Sequence, residues 1–279
     1  NSVIAIDLNH KKELWSFQEV SHDLWNSDIA SPPILTTIKK DSKLIDVVVA
    51  PTKTGNTLIL DRLSGKPIFE YRMRKAPVGK ISGEKTSAYQ PDLRLPMPFL
   101  DKSFNIEKIW FRDKNRKKQF LKKIDNFNFG FFEPHELGKK NIQIGGGASW
   151  PGASINPDKN IMYVSSSRVT VATEVKKKIE KNKNLGPTYF SIQKRILDDD
   201  TYPIIEPPWG TLTAINLNSG KIVWQEPLGE YEDLKNNGFK KTGTENYGGV
   251  TSTRGNIVIA TGSLDKKIYI YNSLNGEII

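Results

Sequence analysis

The sequence predicts an all-β fold of the propeller kind, with about four blade-like units separated by long insertions. Three observations predict it. A hairpin phrase recurs four times along 279 residues, the copies toward either end are spaced 54 and 56 residues apart, and helical spacing is confined to one stretch. Hydrophobic residues make up 37% of the chain and aromatics 10%, which is enough apolar surface for a real core and excludes global disorder.

In chain order, the phrase first occurs as Ile4-Ala5-Ile6-Asp7-Leu8 with Leu14-Trp15. It returns as Leu58-Ile59-Leu60-Asp61 with Ser64-Gly65-Lys66 and Phe69, then as Thr213-Ala214-Ile215-Asn216-Leu217 with Ser219-Gly220-Lys221 and Trp224. The last copy is Ile268-Tyr269-Ile270-Tyr271-Asn272 with Asn275-Gly276. Alternating apolar residues give the strands, Asn, Asp or Ser before Gly gives a positive-φ turn, and the terminal aromatic offers a large side chain to bury between units. Further strands are expected at Asp46 to Ala50, Ile161 to Val164 and Asn256 to Ala260. The units fall near 1–18, 19–72, 145–226 and 245–279, with insertions near 73–144 and 168–206. Helical spacing is found in Lys114 to Asp125, where Phe120, Leu121 and Ile124 recur on one face. Four such units make an open half-ring with uncovered sheet faces and edges, so the chain is expected to be a piece of a protein with about twice as many blades, or to await a partner.

The formal net charge of +10 is concentrated in two segments: residues 106–123 carry +6 and residues 174–195 carry +5, leaving the remainder nearly neutral. Local charge runs of this kind are expected to be solvated insertions rather than a nucleic-acid surface, with anionic lipid headgroups as the functional alternative. The absence of cysteine excludes disulfides, thiolate metal sites and a cysteine nucleophile, and fits cytoplasm or periplasm equally. No apolar run approaches the roughly 18–20 residues of a membrane span. His10, His22 and His135 are scattered without metal-ligand spacing, and neither a nucleophile elbow nor a phosphate loop is present. Gly145-Gly146-Gly147-Ala148 lacks the spacing of a dinucleotide fingerprint and is expected as a flexible loop leading to Trp150.

One long stretch carries a more specific signal. It runs through Trp15-Ser16-Phe17-Gln18, His22-Asp23-Leu24-Trp25-Asn26-Ser27-Asp28, Pro32-Pro33 and Ala50-Pro51-Thr52-Lys53-Thr54-Gly55-Asn56. It continues in Leu60-Asp61-Arg62, Tyr89-Gln90-Pro91, Trp150-Pro151-Gly152, Ile155-Asn156-Pro157, Pro208-Trp209-Gly210, Gly248-Gly249 and Thr253-Arg254-Gly255-Asn256. Together these motifs resemble the quinoprotein dehydrogenases, in particular the membrane-bound glucose dehydrogenase group that depends on pyrroloquinoline quinone (PQQ). The resemblance covers most of the chain in order and is weakest over residues 101–128. It implies an eight-bladed propeller holding PQQ and Ca²⁺ or Mg²⁺ near the ring axis. It also implies oxidation of an aldose to its lactone, or of a polyol, with electrons passed to ubiquinone or another membrane acceptor. The intact protein is then expected at the periplasmic face of the bacterial inner membrane, associated with the membrane through segments absent from this chain, with no nucleic-acid partner.

The resemblance also implies site residues. The family's proton-abstracting aspartate follows the Trp of its His-Asp-x-Trp motif, and that slot here is Asn26. An amide has no accessible basic form near neutral pH, so Asn26 orients a hydroxyl by hydrogen bonding but does not remove its proton. Asp28, two positions on, or a water is expected to take that role. Lys53 matches the family's quinone-contacting lysine, where a cation favours the reduced, anionic cofactor. His22 either touches substrate or packs beside Trp25, and Asp265 either lies near the cofactor or caps a hairpin turn. The quinone-stacking aromatic and most cation ligands are expected outside this chain. The alternative reading is a non-catalytic propeller of the same repeat, acting as a binding or assembly scaffold.

Overall fold

The hairpin phrases fold as strands that pair antiparallel into small sheets, one after another along the chain. The computed structural model describes residues 1–178, 188–199 and 201–279. β1 (Ser2–Asp7) and β2 (Lys12–Gln18) form the first hairpin. β3 (Ile34–Lys40), β4 (Lys43–Pro51) and β5 (Thr57–Asp61) form a meander, and a bridge from Leu60 to Pro67 begins a fourth strand. β6 (Met73–Lys75) pairs with β7 (Tyr89–Pro91). After helix α1 (Lys114–Leu121), β8 (Phe127–Asn128) lies parallel to β9 (Lys140–Asn156), a 17-residue strand that pairs with β10 (Ile161–Lys178). β11 (Thr188–Arg195) returns along the far half of β10, and β12 (Leu197–Asp198) pairs with β13 (Tyr202–Pro203). β14 (Gly210–Asn216) and β15 (Lys221–Pro227) complete the order β15-β14-β10-β9-β8. After α2 (Glu232–Asn236), β16 (Val250–Ser252), β17 (Ile257–Ala260) and β18 (Tyr269–Asn272) form the last meander.

The acidic or amide residue that ends the first strand of each phrase has one job throughout. Oδ1 of Asp7, Asp61, Asn216 and Asn272 accepts backbone N–H donors two or three residues on, at 2.8–3.2 Å. That bond closes the turn and leaves the following residues free to start the return strand.

Successive sheets then pack face to face. Val3, Trp15 and Phe17 of the first hairpin meet Val48, Ala50, Leu58 and Leu60. The opposite face of the β3-β4-β5 meander presents Val47, Val49 and Ile59 to Met162, Val164 and Ile215 of the long sheet. That sheet's other face presents Tyr163, Leu212 and Trp224 to Val258 and Tyr271 of the last one. The hairpin tryptophans join neighbouring units. Trp15 Nε1 donates to the Arg62 carbonyl and Trp224 Nε1 to the Ser273 carbonyl, both at 3.0 Å. Each ring lies against the next unit's turn glycine, Gly65 or Gly276, where an added Cβ falls 2.5 or 2.8 Å from the indole. An indole thus fills the space that a missing side chain leaves open.

The middle of the chain differs from its sequence reading. Residues 168–206, expected as a loop insertion, contain the strand prolongation of β10 and its partner β11, because Val169 to Thr173 stay buried without a break and continue the covered run of the blade strand. The glycine run at 145–147 is not a flexible loop. It lies within β9, opposite Val169, Arg168 and Ser167. The expected helix is present as α1, capped by Asp113 and followed by a single 3₁₀ turn at Ile124–Asn126. The basic segment around α1 is docked as well as solvated: Arg116 pairs with the fully buried Asp198 and with Asp199, and Arg112 with Asp199 and Asp233. Residues 179–187 of the second basic segment lie outside the described residues. Among the described residues no helix is long and apolar enough to cross a membrane.

Candidate functional site

The β4–β5 turn, Thr52 to Asn56, is folded around one buried acid. Glu19, 1% exposed, follows β2. Its Oε1 accepts from Thr52 Oγ1 at 3.1 Å, Thr54 Oγ1 at 2.5 Å and Asn56 Nδ2 at 2.9 Å. Burial pushes the Glu19 carboxyl above the ordinary carboxylate range against these three bonds, and its Oε2 has no partner among the described residues. With Thr52 and Thr54 committed to Glu19, Lys53 between them projects the other way. Its Nζ meets Asp28 Oδ1 at 2.5 Å and lies 5.8 Å from the centre of the Trp150 ring.

The His22 to Asp28 loop reaches the same place by a different device. Asp23 accepts from the backbone N–H of Trp25 at 2.9 Å and of Ser27 at 2.7 Å, winding the loop around one carboxylate. Asn26 sits at φ +56°, the left-handed region that Asn and Asp tolerate best. The loop is clamped from the insertion side. Trp25 Nε1 donates to the Glu133 carbonyl at 2.8 Å, Gln143 Nε2 donates to the Trp25 carbonyl at 3.0 Å, and Trp25 meets Phe132 edge to face. The segment Phe129 to Pro134 therefore holds the loop that carries Asn26.

Asn26, Lys53 and Trp150 line a cavity of about 410 Å³, together with Lys102, Arg195 and Asn246. Its glycine wall is tight. Gly147 has φ +79°, and an added Cβ would lie 2.3 Å from the Lys53 carbonyl oxygen, so β9 can approach the Lys53 turn only without a side chain there. Opposite, Arg195 of β11 donates to Glu245 Oε1 at 2.6 Å and to the Tyr247 hydroxyl at 2.8 Å, and that hydroxyl donates to Glu245 Oε2 at 2.5 Å. Although burial opposes it, Glu245 raises the Arg195 guanidinium above its ordinary value. Lys102 stands on the near wall, where its Nζ donates to Ser27 Oγ at 2.9 Å. Burial pushes that amine down to about 8, the charges of Glu19 and Asp23 opposing.

The residues singled out in the sequence are thus brought together only in part. Asn26 and Lys53 share the cavity, and Asp28 joins them as the ion-pair partner of Lys53 without lining it. His22 is exposed and turned to Glu84, Nε2 to Oε1 at 2.5 Å, and lies outside the cavity wall. Asp265 is also outside it. Its carboxylate accepts from Ser263 Oγ, Tyr269 OH and the Glu230 N–H at 2.6, 2.5 and 3.1 Å, which ties the β17–β18 connection to the loop before α2. Burial would raise its carboxyl, but those three donors together with the Lys267 N–H outweigh it and lower the carboxyl below the ordinary range. Sequence reasoning missed Lys102, Arg195 and Glu245, which come from insertions and connections where no repeat guides the eye.

PQQ is a flat quinone bearing three carboxylates, so a place for it needs cations, a planar surface and convergent donors or acceptors. The cavity supplies the ammonium of Lys53, the guanidinium of Arg195, the exposed indole of Trp150 and a buried Asn246 Oδ1 that has no partner among the described residues. These residues fit the group. A divalent cation is different: among the described residues no three His, Asp or Glu side chains converge to hold one.

Comparison with known proteins gives the family and the fold. The chain is 27% identical over 305 residues to quinoprotein glucose dehydrogenase A of Acinetobacter calcoaceticus, covering 99% of this chain and 38% of that protein. It is 26% identical to quinate/shikimate dehydrogenase (quinone) of Acinetobacter baylyi, with the same two coverages, and 27% identical to the glycerol dehydrogenase large subunit of Gluconobacter oxydans, covering 100% of this chain and 42% of that one. The chain thus spans about two-fifths of the length of these relatives. Among solved structures, quinohemoprotein alcohol dehydrogenase from Comamonas testosteroni shares the fold with a TM-score of 0.53 at 20% identity, over 99% of this chain and 34% of that one. The model of the PQQ family, described as the glucose/ethanol/alcohol dehydrogenase β-propeller domain, matches residues 1–279, and the chain belongs to that family.

Proposed function

We propose that the protein carrying this chain is a PQQ-dependent dehydrogenase that oxidises a sugar, such as an aldose to its lactone, or a polyol. Ubiquinone or another membrane quinone would receive the electrons at the periplasmic face of the bacterial inner membrane. The observation that carries the reading is Lys53, held by Asp28 at 2.5 Å on the wall of a cavity that also presents Asn26 and Trp150. A scaffold would have no use for an ammonium set this way beside an open indole. Relatives that act, by their names, on glucose, glycerol and quinate all point to a carbinol substrate, and the choice among them lies in the wall residues.

When bound, the quinone supplies the two-electron acceptor for the carbon-bound hydrogen. Lys53 supplies positive charge beside it, where negative charge grows during oxidation, and Asp28 fixes the ammonium in place. Asn26 donates to or accepts from the substrate hydroxyl without taking its proton. His22 and Asp265 act by holding their loops through Glu84 and Tyr269. Ca²⁺ or Mg²⁺ belongs to the same proposal, with no ligand assigned in this chain. The test is dye-linked oxidation by the full-length protein, reconstituted with PQQ and either cation, over aldoses and polyols. Turnover of a sugar or polyol that depends on PQQ supports the reading, whereas turnover of simple alcohols alone refutes the substrate class. Tight PQQ binding with no oxidation of any carbinol favours the non-catalytic propeller, for which Asn26 is the motivating residue.

A further inference from the structure

Oxidising a carbinol requires a group that takes the hydroxyl proton, and most of the cavity's titratable side chains are already engaged. Glu245 is 3% exposed and bound by Arg195 and Tyr247. Lys53 is paired with Asp28, whose Oδ1 is occupied by that ammonium and which does not line the wall. Arg195 stays protonated at any working pH, and Lys194 lies exposed on β11. Lys102 remains. Its side chain lines both the cavity of Asn26 and the adjoining one of about 290 Å³ beneath Phe131 and Phe132. Among the described residues it forms no ion pair, and its Nζ is held to the hydroxyl of Ser27, the residue that follows Asn26. A serine hydroxyl accepts from an ammonium and donates to a neutral amine, so this one bond serves both states.

We propose that Lys102 is the proton acceptor in carbinol oxidation at this site, its Nζ presented beside Asn26 by Ser27. The inference rests on the dehydrogenase reading above. In the step, the substrate O–H bond breaks and an Nζ–H bond forms, converting amine to ammonium. The carbinol C–H pair leaves as hydride to the quinone oxidant, and the C–O bond becomes a carbonyl. Asn26 orients the hydroxyl, and the amine does what an amide cannot. The charges facing Lys102 are Glu19, Asp23, Asp28 and Lys53. Across the cavity stand Arg195, Glu245 and Tyr247, and the adjoining one adds Arg74, Asp92, Asp101 and Glu133. Burial outweighs the nearby carboxylates and leaves the amine titrating at about 8. Neutral amine is the active form, so kcat/KM rises about tenfold per pH unit below that value and levels above it.

The experiment uses the full-length protein with PQQ. Competitive acetylation read by mass spectrometry measures the titration of Lys102 without turnover; a value near 8 is expected, and an ordinary lysine value near 10.4 overturns the proposal. In dye-linked assays Lys102→Met and Lys102→Arg are each expected to lose about 10²–10⁴ in kcat with PQQ still bound, because the arginine keeps the charge but cannot serve as base. Adding Asn26→Asp to Lys102→Met should restore turnover with its pH limb moved down into the carboxylate range, and small primary amines should rescue Lys102→Ala. An unchanged pH profile in Lys102→Arg overturns the proposal while leaving the dehydrogenase standing. So does a wild type that is silent while Asn26→Asp alone is active. Silence of every variant, with PQQ unbound, overturns the dehydrogenase reading and Lys102 with it.

Discussion

Replacing Gly147 by Ala tests how the blade strand sets the site. The backbone there has φ +79°, and a methyl group would lie 2.3 Å from the Lys53 carbonyl oxygen and 2.6 Å from its carbonyl carbon and Cα. Two costs follow. A left-handed alanine costs about 1–2 kcal/mol, offset by roughly 0.4–1 kcal/mol from the reduced freedom of the unfolded chain. Forcing a methyl against backbone adds roughly 1–3 kcal/mol of overpacking. Gly138 supplies the control, because it has φ +83° with nothing within 4 Å of its added Cβ. Gly138→Ala should therefore cost about 1 kcal/mol or less and Gly147→Ala roughly 2–4 kcal/mol. The assay is urea unfolding of the full-length protein, followed by tryptophan fluorescence, with PQQ titrated in parallel. Because the clash falls on the residue that carries the site's ammonium, Gly147→Ala should also weaken PQQ binding roughly tenfold to a hundredfold, the worth of one charge-assisted hydrogen bond. Equal destabilisation of the two variants, with PQQ affinity intact in both, would refute the reasoning.

Trp224→Ala removes an indole that packs on the next unit's turn and donates to the Ser273 carbonyl, and should cost about 3–5 kcal/mol by the measure of large buried aromatics; a loss under 1 kcal/mol in urea unfolding would show that the indole does not join the units. Glu19→Gln keeps an acceptor for Thr52, Thr54 and Asn56 while removing a carboxyl that burial holds above its ordinary value. Between that ordinary value and the folded-state one, the folded protein binds more protons than the unfolded chain, so wild-type stability falls as pH rises through this window. The Gln variant should lose that slope and match wild type near pH 4; identical pH dependence in urea titrations would contradict it. Asp23→Ala leaves the Trp25 and Ser27 N–H groups without their acceptor and should loosen the Asn26 loop, seen as faster amide hydrogen exchange at residues 22–28. Unchanged exchange there would show that Trp25 alone holds the loop.

The blade architecture was legible because each phrase carries its own physics. Asp7, Asp61, Asn216 and Asn272 close turns through bonds within three residues, and Trp15 and Trp224 announce the next interface. Lys53 was legible only through the resemblance of the His22 to Asn56 stretch, because its own turn is folded around the distant Glu19 and not closed by a phrase residue. Gly145 to Gly147 misled, since a run of glycines signals a loop unless a partner strand claims it, and that partner, Ser167 to Val169, lies some twenty residues away. Lys102, Arg195 and Glu245 were out of reach for a related reason. Their meeting depends on long-range contacts between an insertion, the β11 strand and the connection after α2, and no period or spacing records such contacts. Asp265 and His22 show the converse, motif positions whose bonds tie loops together away from the cavity.

The measurement that bears most directly on the site is the absorbance of PQQ bound to the full-length protein as sugar is added, for wild type and Lys53→Met side by side. Cofactor reduced by an aldose or polyol in wild type, and bound but not reduced in Lys53→Met, is the predicted result. Equal reduction in both proteins, or binding without reduction in either, would contradict the role given to Lys53 on the wall of this cavity.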